Sequence, residues 1–188
     1  MLEHVEEFDK YLLITGFREV RIGNVEAFFK AICNEKPADV EIQFFDAQLV
    51  ATWQHLHFAV LNALTAFENG GNISRNLAIE IMLYVSAQRQ IRKAMKLLGI
   101  KPHLSNIAMT VVADRPDNAR AMLSMTCKNL RVKPDATVIE LTRSKEEGIR
   151  KAFDISEAEL EAVRKGDDLE AALVDLVIER MALLSTQR

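Results

Sequence analysis

The stretch VEIQFFDAQLVATWQHLHFAVLNALTAFENGG, residues 40–71, joins a strand pattern to a helix pattern and so decides the fold class. Its first residues, 40–45, alternate in polarity as the residues of a half-buried strand do. After Asp46, which can cap a helix, apolar residues occur on nearly every side up to Gly70-Gly71, where a helix would end. The stretch therefore predicts a strand followed by a long core helix.

Shorter patterns on both sides of this stretch add further strands and helices. Strands are predicted at 11–15, 20–22, 107–112 and 137–141. Helices are predicted after Asn24, after Ser74, over 88–98, from Pro116, and over 169–184 after Asp167 or Asp168. Together they predict an α+β fold: a mixed β-sheet of four to five strands packed with helices, in a single domain with a helical C-terminal segment.

The charge of the chain changes near residue 142. The whole chain of 188 residues has a net charge of −3 and is 49% hydrophobic, which is enough for the core of one globular domain. Between Glu140 and Glu179 there are twelve acidic and six basic residues. We therefore expect a core domain over 1–142. The remainder, 143–188, is expected to consist of an acidic linker, 143–166, and a C-terminal helix that packs on the core.

One segment has the opposite charge. The 33 residues between Glu80 and Asp114 contain no acidic residue. A helix over 88–98 stacks four bases on one face: Arg89, Arg92, Lys93 and Lys96. Its other face is apolar and consists of Ile91, Ala94, Met95 and Leu98. Like charges at this spacing repel, and an anionic partner, above all nucleic acid phosphate, would relieve them. An ordinary solvated face, with acids supplied from elsewhere in the fold, explains the charge about equally well.

The sequence lacks the common patterns of catalysis and metal binding. It has no Walker loop, dinucleotide-binding glycine motif or kinase catalytic loop. His55 and His57 are two residues apart and would point to different sides of a helix, whereas a zinc pair needs a spacing of four. Cys33 and Cys127 have no evident histidine base, and we expect both to be buried, reduced thiols. We expect no enzyme activity, no cofactor and no metal.

The N-terminus and the hydropathy of the chain predict its location. Residues 1–10 carry four acids and no apolar run, so they do not form a secretory signal. No stretch reaches the roughly 18 uninterrupted apolar residues of a membrane span. The sequence therefore predicts a soluble, cytoplasmic protein with no membrane partner.

Several short motifs carry a resemblance to a known family. They are DAQLVA at 46–51 with His55-Leu56, NISRNL at 72–77, Glu80, Leu83-Tyr84, SAQRQI at 86–91, Ala94, and LGI at 98–100. Together they resemble the Cgi-type kinase-binding subunit of the KEOPS (EKC) complex. That complex installs threonylcarbamoyl on the adenosine beside the tRNA anticodon. The resemblance covers about residues 11–130.

The resemblance implies a non-catalytic regulatory subunit with a fold of both helices and strands. Such a subunit binds the N-lobe of the small KEOPS kinase/ATPase, helps to hold tRNA, and meets the other KEOPS subunits only indirectly. It raises the expectation of tRNA contact for five bases: Arg75, Arg89, Arg92, Lys93 and Lys96. Glu80, Leu83 and Ile91 in the same motifs are expected to be structural.

The C-terminal helix has more apolar surface than one contact face needs. One arc can seat the helix on its own domain: Leu169, Ala172, Leu173, Leu176 and Leu183. A second arc is left over: Val174, Val177, Ile178 and Met181. Periodicity alone favours burial of this arc within the fold or in a homodimer. Because the family's kinase must dock on some apolar surface, the resemblance makes the second arc the expected kinase interface.

The sequence leaves two other functions open. A stand-alone RNA-binding module would need no kinase partner, but the aromatic strand motif and the glycine clamp loop of common RNA-binding domains are absent. A small enzyme with an unfamiliar active site is the third possibility.

Overall fold

The computed structural model describes residues 1–164 and 168–186, which contain a four-stranded sheet and eight α-helices. The strands are β1 (Leu2–Val5), β2 (Lys10–Phe17), β3 (Val40–Asp46) and β4 (Ile107–Ala113). The helices are α1 (Val25–Glu35), α2 (Trp53–Glu68), α3 (Leu77–Val85), α4 (Ile91–Leu98), α5 (Pro116–Leu130), α6 (Arg143–Phe153), α7 (Glu157–Val163) and α8 (Leu169–Ala182). The predicted α+β class is confirmed.

The strand order of the sheet is β1-β2-β4-β3, and every neighbouring pair is antiparallel. The sheet was expected to be mixed, so its uniform direction is a correction. β4 lies between β2 and β3, and Val111 is the partner of both Leu13 and Ile42. All seven residues of β4 are buried, as the continuous apolar run in the sequence requires of a central strand.

Two of the predicted strands do not form, and one strand was missed. Val20 and Ile22 are buried but belong to no strand, and the N–H of Val20 donates to the carbonyl of Ser105 at 2.8 Å. The run at 137–141 overlaps a 3₁₀ turn, Ala136–Ile139. At both places apolar residues are buried, Val138 and Ile139 among them, but they form no strand. The missed strand is β1, whose short sequence carries a weak pattern.

Contacts within the chain define two compact units, each made of two segments. The first unit comprises Met1–Ala47 and Ile100–Val138, and it contains the sheet with α1 and α5. Its core includes Phe17, Ile32 and Met109, all fully buried. The cap predicted for α1 is confirmed, because the Asn24 side chain accepts a hydrogen bond from the N–H of Ala27.

The second unit comprises Gln48–Gly99 and Ile139–Arg188 and is helical. Two helix starts differ from the prediction. α2 begins at Trp53, because Asp46 is the last residue of β3 and a 3₁₀ turn, Ala47–Leu49, follows it. α3 is capped by Asn76 and not by Ser74, since the Asn76 side chain accepts from the N–H of Ile79 at 2.9 Å.

The segment 143–164, which was expected as an acidic linker, is largely helical. α6 and α7 occupy most of it, and Ile149, Phe153 and Leu160 are buried. A few apolar residues at helical spacing are enough to fix the helices, while the acids between them remain at the surface. Residues 165 and 166 of the expected linker lie outside the described residues. The division of the chain at residue 142 stays a prediction.

Candidate binding surfaces

The basic helix predicted from the sequence is α4, and its sequence fixes both its buried face and its end. Ala94 and Leu98 are fully buried. The helix ends at Gly99, whose N–H donates to the carbonyl of Met95 at 3.0 Å. A Cβ on residue 99 would stand 2.4 Å from that carbonyl oxygen, so only glycine fits there.

Three cations lie exposed on α4. Arg92, Lys93 and Lys96 are exposed, and none of them has a carboxylate oxygen within 4.0 Å in residues 1–164 and 168–186. The sequence left open the alternative that acids from elsewhere in the fold pair with these bases. Within the described residues, no such acid forms an ion pair with these cations. In that part of the chain, no ion pair therefore offsets the repulsion between these three cations.

Arg89 differs from the other three bases that were predicted on this helix face. It precedes α4, which begins at Ile91, and its guanidinium donates to the carbonyl of Leu184 at 3.3 Å. The side chain is exposed, and this hydrogen bond connects it to the 3₁₀ turn Leu183–Ser185 that follows α8. Four bases were expected to stack on one helix, and the structure places three of them on α4 itself.

Arg75 lies on the loop between α2 and α3 and is exposed. The neighbouring Ile73 lines a cavity of about 230 Å³ together with Tyr84 and Arg89. Burial raises the pKa of the Tyr84 hydroxyl, the charge of Glu80 raises it further, and the charge of Arg89 opposes the rise. Arg75 thus belongs to a loop that also lines this cavity, through Ile73.

The apolar face of α4 is only half covered. Ala94 and Leu98 are buried as predicted, but Ile91 and Met95 are 45% and 36% exposed. The sequence predicted one apolar face of four residues, and the structure shows that only two of them are covered. α4 thus presents two large apolar side chains at the surface beside its cations.

α8 buries two of the four residues that were expected to meet the kinase. Val177 and Met181 are fully buried, whereas Val174 and Ile178 are half-buried. The physical reason is that α8 packs against α2, α3, α6 and α7, so its own unit covers Val177 and Met181 and leaves Val174 and Ile178 partly open. Leu183, which was assigned to the seated arc, is 40% exposed. The assignment of Val177 and Met181 to an open surface is therefore wrong.

The start of α8 is capped as expected. The Asp168 side chain accepts a hydrogen bond from the N–H of Ala171 at 2.9 Å. The other candidate cap, Asp167, lies outside the described residues.

An aromatic patch on α2 was missed by the sequence interpretation. Trp53 and Phe58 are 42% and 40% exposed. The His57 ring lies between them, with its centroid 5.8 Å from that of Trp53 and 5.5 Å from that of Phe58. The sequence hides this patch because α2 is apolar nearly all round, so no polar face marks which residues point outward. Exposed aromatic side chains of this size are typical of binding surfaces.

The histidine, cysteine and metal-ligand candidates of the sequence can be placed in the structure. His55 is fully buried, and burial lowers its pKa to about 4. In the described residues, no group of three or more His, Cys, Asp or Glu side chains could hold a metal ion. Cys127 is half-buried and burial raises its pKa, but Cys33 is exposed, contrary to expectation. Among the described helices, none combines the length and apolar composition needed to cross a membrane.

Comparisons with known proteins give a consistent result. Residues 17–185 match the family model described as "Kinase binding protein CGI-121". A curated relative, "Regulatory protein Cgi121" of Methanocaldococcus jannaschii, is 28% identical over 144 residues, which make up 77% of this chain and 85% of that protein. The matched range includes α2, α4 and α8, which carry the surfaces described above.

Proposed function

This chain belongs to the CGI-121 family of kinase-binding proteins, and from that premise we propose that it is a non-catalytic regulatory subunit of a KEOPS complex. In this proposal it binds the kinase/ATPase subunit and helps to bind tRNA for threonylcarbamoyl modification of the adenosine next to the anticodon. The family resemblance found in the sequence is confirmed. The family name supports a kinase partner and the name of the curated relative supports a regulatory role, while tRNA and the complex belong to the proposal.

The tRNA part of the proposal is supported by the exposed cations of α4. They have no ion-pair partner in residues 1–164 and 168–186. Phosphates are spaced so that a short basic helix can meet more than one, and each contact releases a counterion. We assign the tRNA contact to Arg92, Lys93 and Lys96, with Arg75 and Arg89 contributing from the adjoining loops.

The salt dependence of tRNA binding tests this assignment. Arg92→Gln and Lys96→Gln should each reduce the slope of log K against log salt by about one unit, because each removes one phosphate contact. Lys151→Gln is the matched control, since Lys151 is exposed on α6 and carries the same charge. Equal slopes for all three variants and the unmodified chain would show that α4 does not meet tRNA.

The kinase part is supported by apolar exposure on α2 and α8, which pack against each other. We propose that Trp53 and Phe58 of α2, with the half-buried Val174 and Ile178 of α8, contact the kinase. Aromatic side chains dominate the energetics of protein interfaces, and their exposure in the free chain costs hydration free energy that a partner removes. Val177 and Met181 are left out of this surface because they are fully buried.

A binding measurement with the purified kinase/ATPase subunit tests the kinase surface. Trp53→Ala should weaken the complex by about 2 kcal/mol or more if Trp53 is an interface anchor. Ile91→Ser is a suitable control, because Ile91 is similarly exposed but lies on α4. If Ile91→Ser weakens kinase binding and Trp53→Ala does not, the kinase docks on α4 instead.

A stand-alone RNA-binding module is the second candidate function. It predicts the same loss of salt slope in the α4 variants, but no binding to the kinase. Co-purification of the chain with a kinase-sized partner at equal stoichiometry separates the two functions.

A further inference from the structure

The loop between α2 and α3 is built around a buried carboxylate. Glu80 is fully buried. Its carboxylate accepts the N–H of Ile73 at 3.1 Å from both oxygens, and the N–H of Ser74 at 2.7 Å from Oε2. A buried carboxylate is costly unless hydrogen bonds satisfy it, and here two consecutive backbone N–H groups do so. Side chain and loop thus stabilise each other.

Further hydrogen bonds fix the loop on both sides of Arg75. The Asn72 amide donates to the carbonyl of Ser74 at 2.9 Å, and the N–H of Asn76 donates to Ser74 Oγ at 3.2 Å. The backbone around Arg75 is therefore held in one conformation, although its side chain is exposed. Ordering this backbone before binding removes an entropy cost that a flexible loop would incur on binding.

We propose that Glu80 is a positioning residue for polyanion binding, because its carboxylate holds the loop that presents Arg75. This inference rests on the proposed binding of tRNA. Glu80 does not contact the ligand in this account but acts through the backbone of Ile73 and Ser74. A residue that was expected to be merely structural thereby contributes to affinity.

The sign of the effect distinguishes positioning from simple electrostatics. Glu80→Gln removes a negative charge, and if charge alone mattered, the variant would bind tRNA more tightly. The single oxygen of a Gln amide can take the place of Oε2, but its NH2 group then replaces Oε1 and faces the N–H of Ile73 donor to donor, so one of the three contacts that hold the loop is lost. We therefore expect Glu80→Gln to weaken binding by about fivefold, the factor that corresponds to ordering one backbone residue.

The experiment is a titration of the full chain with tRNA at fixed salt. Glu68→Gln is the matched control, because Glu68 is exposed at the end of α2 and its substitution changes the charge equally. It should bind as tightly as the unmodified chain or more tightly. Equal or tighter binding by Glu80→Gln would overturn the inference.

A double-mutant cycle then identifies the residue through which Glu80 acts. Arg75→Gln should weaken binding in the unmodified chain but add little to Glu80→Gln, whereas Lys96→Gln should weaken both backgrounds equally. Additive effects with Arg75→Gln, or no effect of Arg75→Gln alone, would refute positioning while leaving the α4 assignment intact. If the unmodified chain does not bind tRNA, the proposed function fails and this inference fails with it.

Amide hydrogen exchange of the unmodified chain covers the case in which Glu80→Gln does not fold. The N–H groups of Ile73 and Ser74 should exchange slowly, because both donate to a buried carboxylate. Protection of both amides, together with weaker binding by Arg75→Gln, supports the inference. Exchange at the rate of an unstructured peptide would overturn it.

Discussion

The Nε2 atom of His55 lies 2.8 Å from the carbonyl oxygen of Val85, so the first turn of α2 is joined to the last residue of α3. The other ring nitrogen, Nδ1, accepts the N–H of Ala51 at 3.3 Å. These two hydrogen bonds together require a neutral ring with its proton on Nε2, because a protonated Nδ1 could not accept. Burial lowers the pKa of His55 from 6.5 to about 4, in agreement with a neutral ring.

We predict that this histidine makes the chain less stable in mild acid. The unfolded chain binds a proton at His55 below about pH 6.5, whereas the folded chain does so only near pH 4. The free energy of unfolding that the neutral His55 ring contributes is therefore fully present above pH 6.5 and is lost as the pH falls toward 4. It amounts to about 3 kcal/mol. Urea unfolding at pH 7.5 and 4.5 measures the loss, and in His55→Gln that part of the pH dependence should be absent. An equal loss in both proteins would contradict the prediction.

Val177→Glu should destabilise the chain itself and not only a complex. Val177 is fully buried, and a carboxylate there has no hydrogen-bond partner to offset the loss of hydration. The expected cost is several kcal/mol. Val174→Glu, one turn earlier on α8 and half-buried, should cost much less. Thermal unfolding of both variants gives the comparison, and equal stabilities would show that α8 is not buried as described.

Ile81→Ala should cost about 2–5 kcal/mol of unfolding free energy, because Ile81 is 1% exposed in the middle of α3. Ile79→Ala on the same helix is the control, since Ile79 is only half-buried. Partner binding should decline in Ile81→Ala only as far as folding does. A stable Ile81→Ala variant without partner binding would place Ile81 in an interface.

Gly16→Ala should destabilise the sheet, because a Cβ on residue 16 would stand 2.1 Å from Cγ2 of Val138. Overpacking of this kind costs about 1–3 kcal/mol. Val138→Ala removes the clashing methyl group, so the double variant should be more stable than the sum of the two single changes predicts. Chemical denaturation of the four proteins completes the cycle, and strict additivity would exclude the clash as the cause.

Sequence patterns predicted the elements that local interactions determine. Asn24 caps α1 by accepting a backbone N–H three residues on, and Pro116 opens α5, so both starts can be recognised within one turn of chain. β1 was missed because its four residues depend on pairing with β2. The start of α2 was placed too early because Asp46 completes a strand, which only tertiary pairing reveals.

The same limit applies to the candidate surfaces. Helical periodicity was sufficient to predict that Arg92 and Lys96 lie exposed, since it needs only the helix itself. The burial of Val177 depends on several helices that surround α8, and no pattern within α8 specifies them. The exposure of Trp53 likewise depends on which faces of α2 its neighbours leave uncovered. Contact of these residues with tRNA or a kinase stays a prediction.

The central position of β4 has a consequence for synthesis of the protein. A ribosome makes the chain from its N-terminus, and β4 is the last strand to emerge although it lies between β2 and β3. Until residues 107–113 leave the exit tunnel, β3 has no partner in the sheet. From the time β3 leaves the tunnel until β4 does, the nascent chain therefore carries an unpaired apolar strand, which is the kind of segment that chaperones protect from aggregation. The sheet is completed only when residues 107–113 have emerged and paired with β2 and β3.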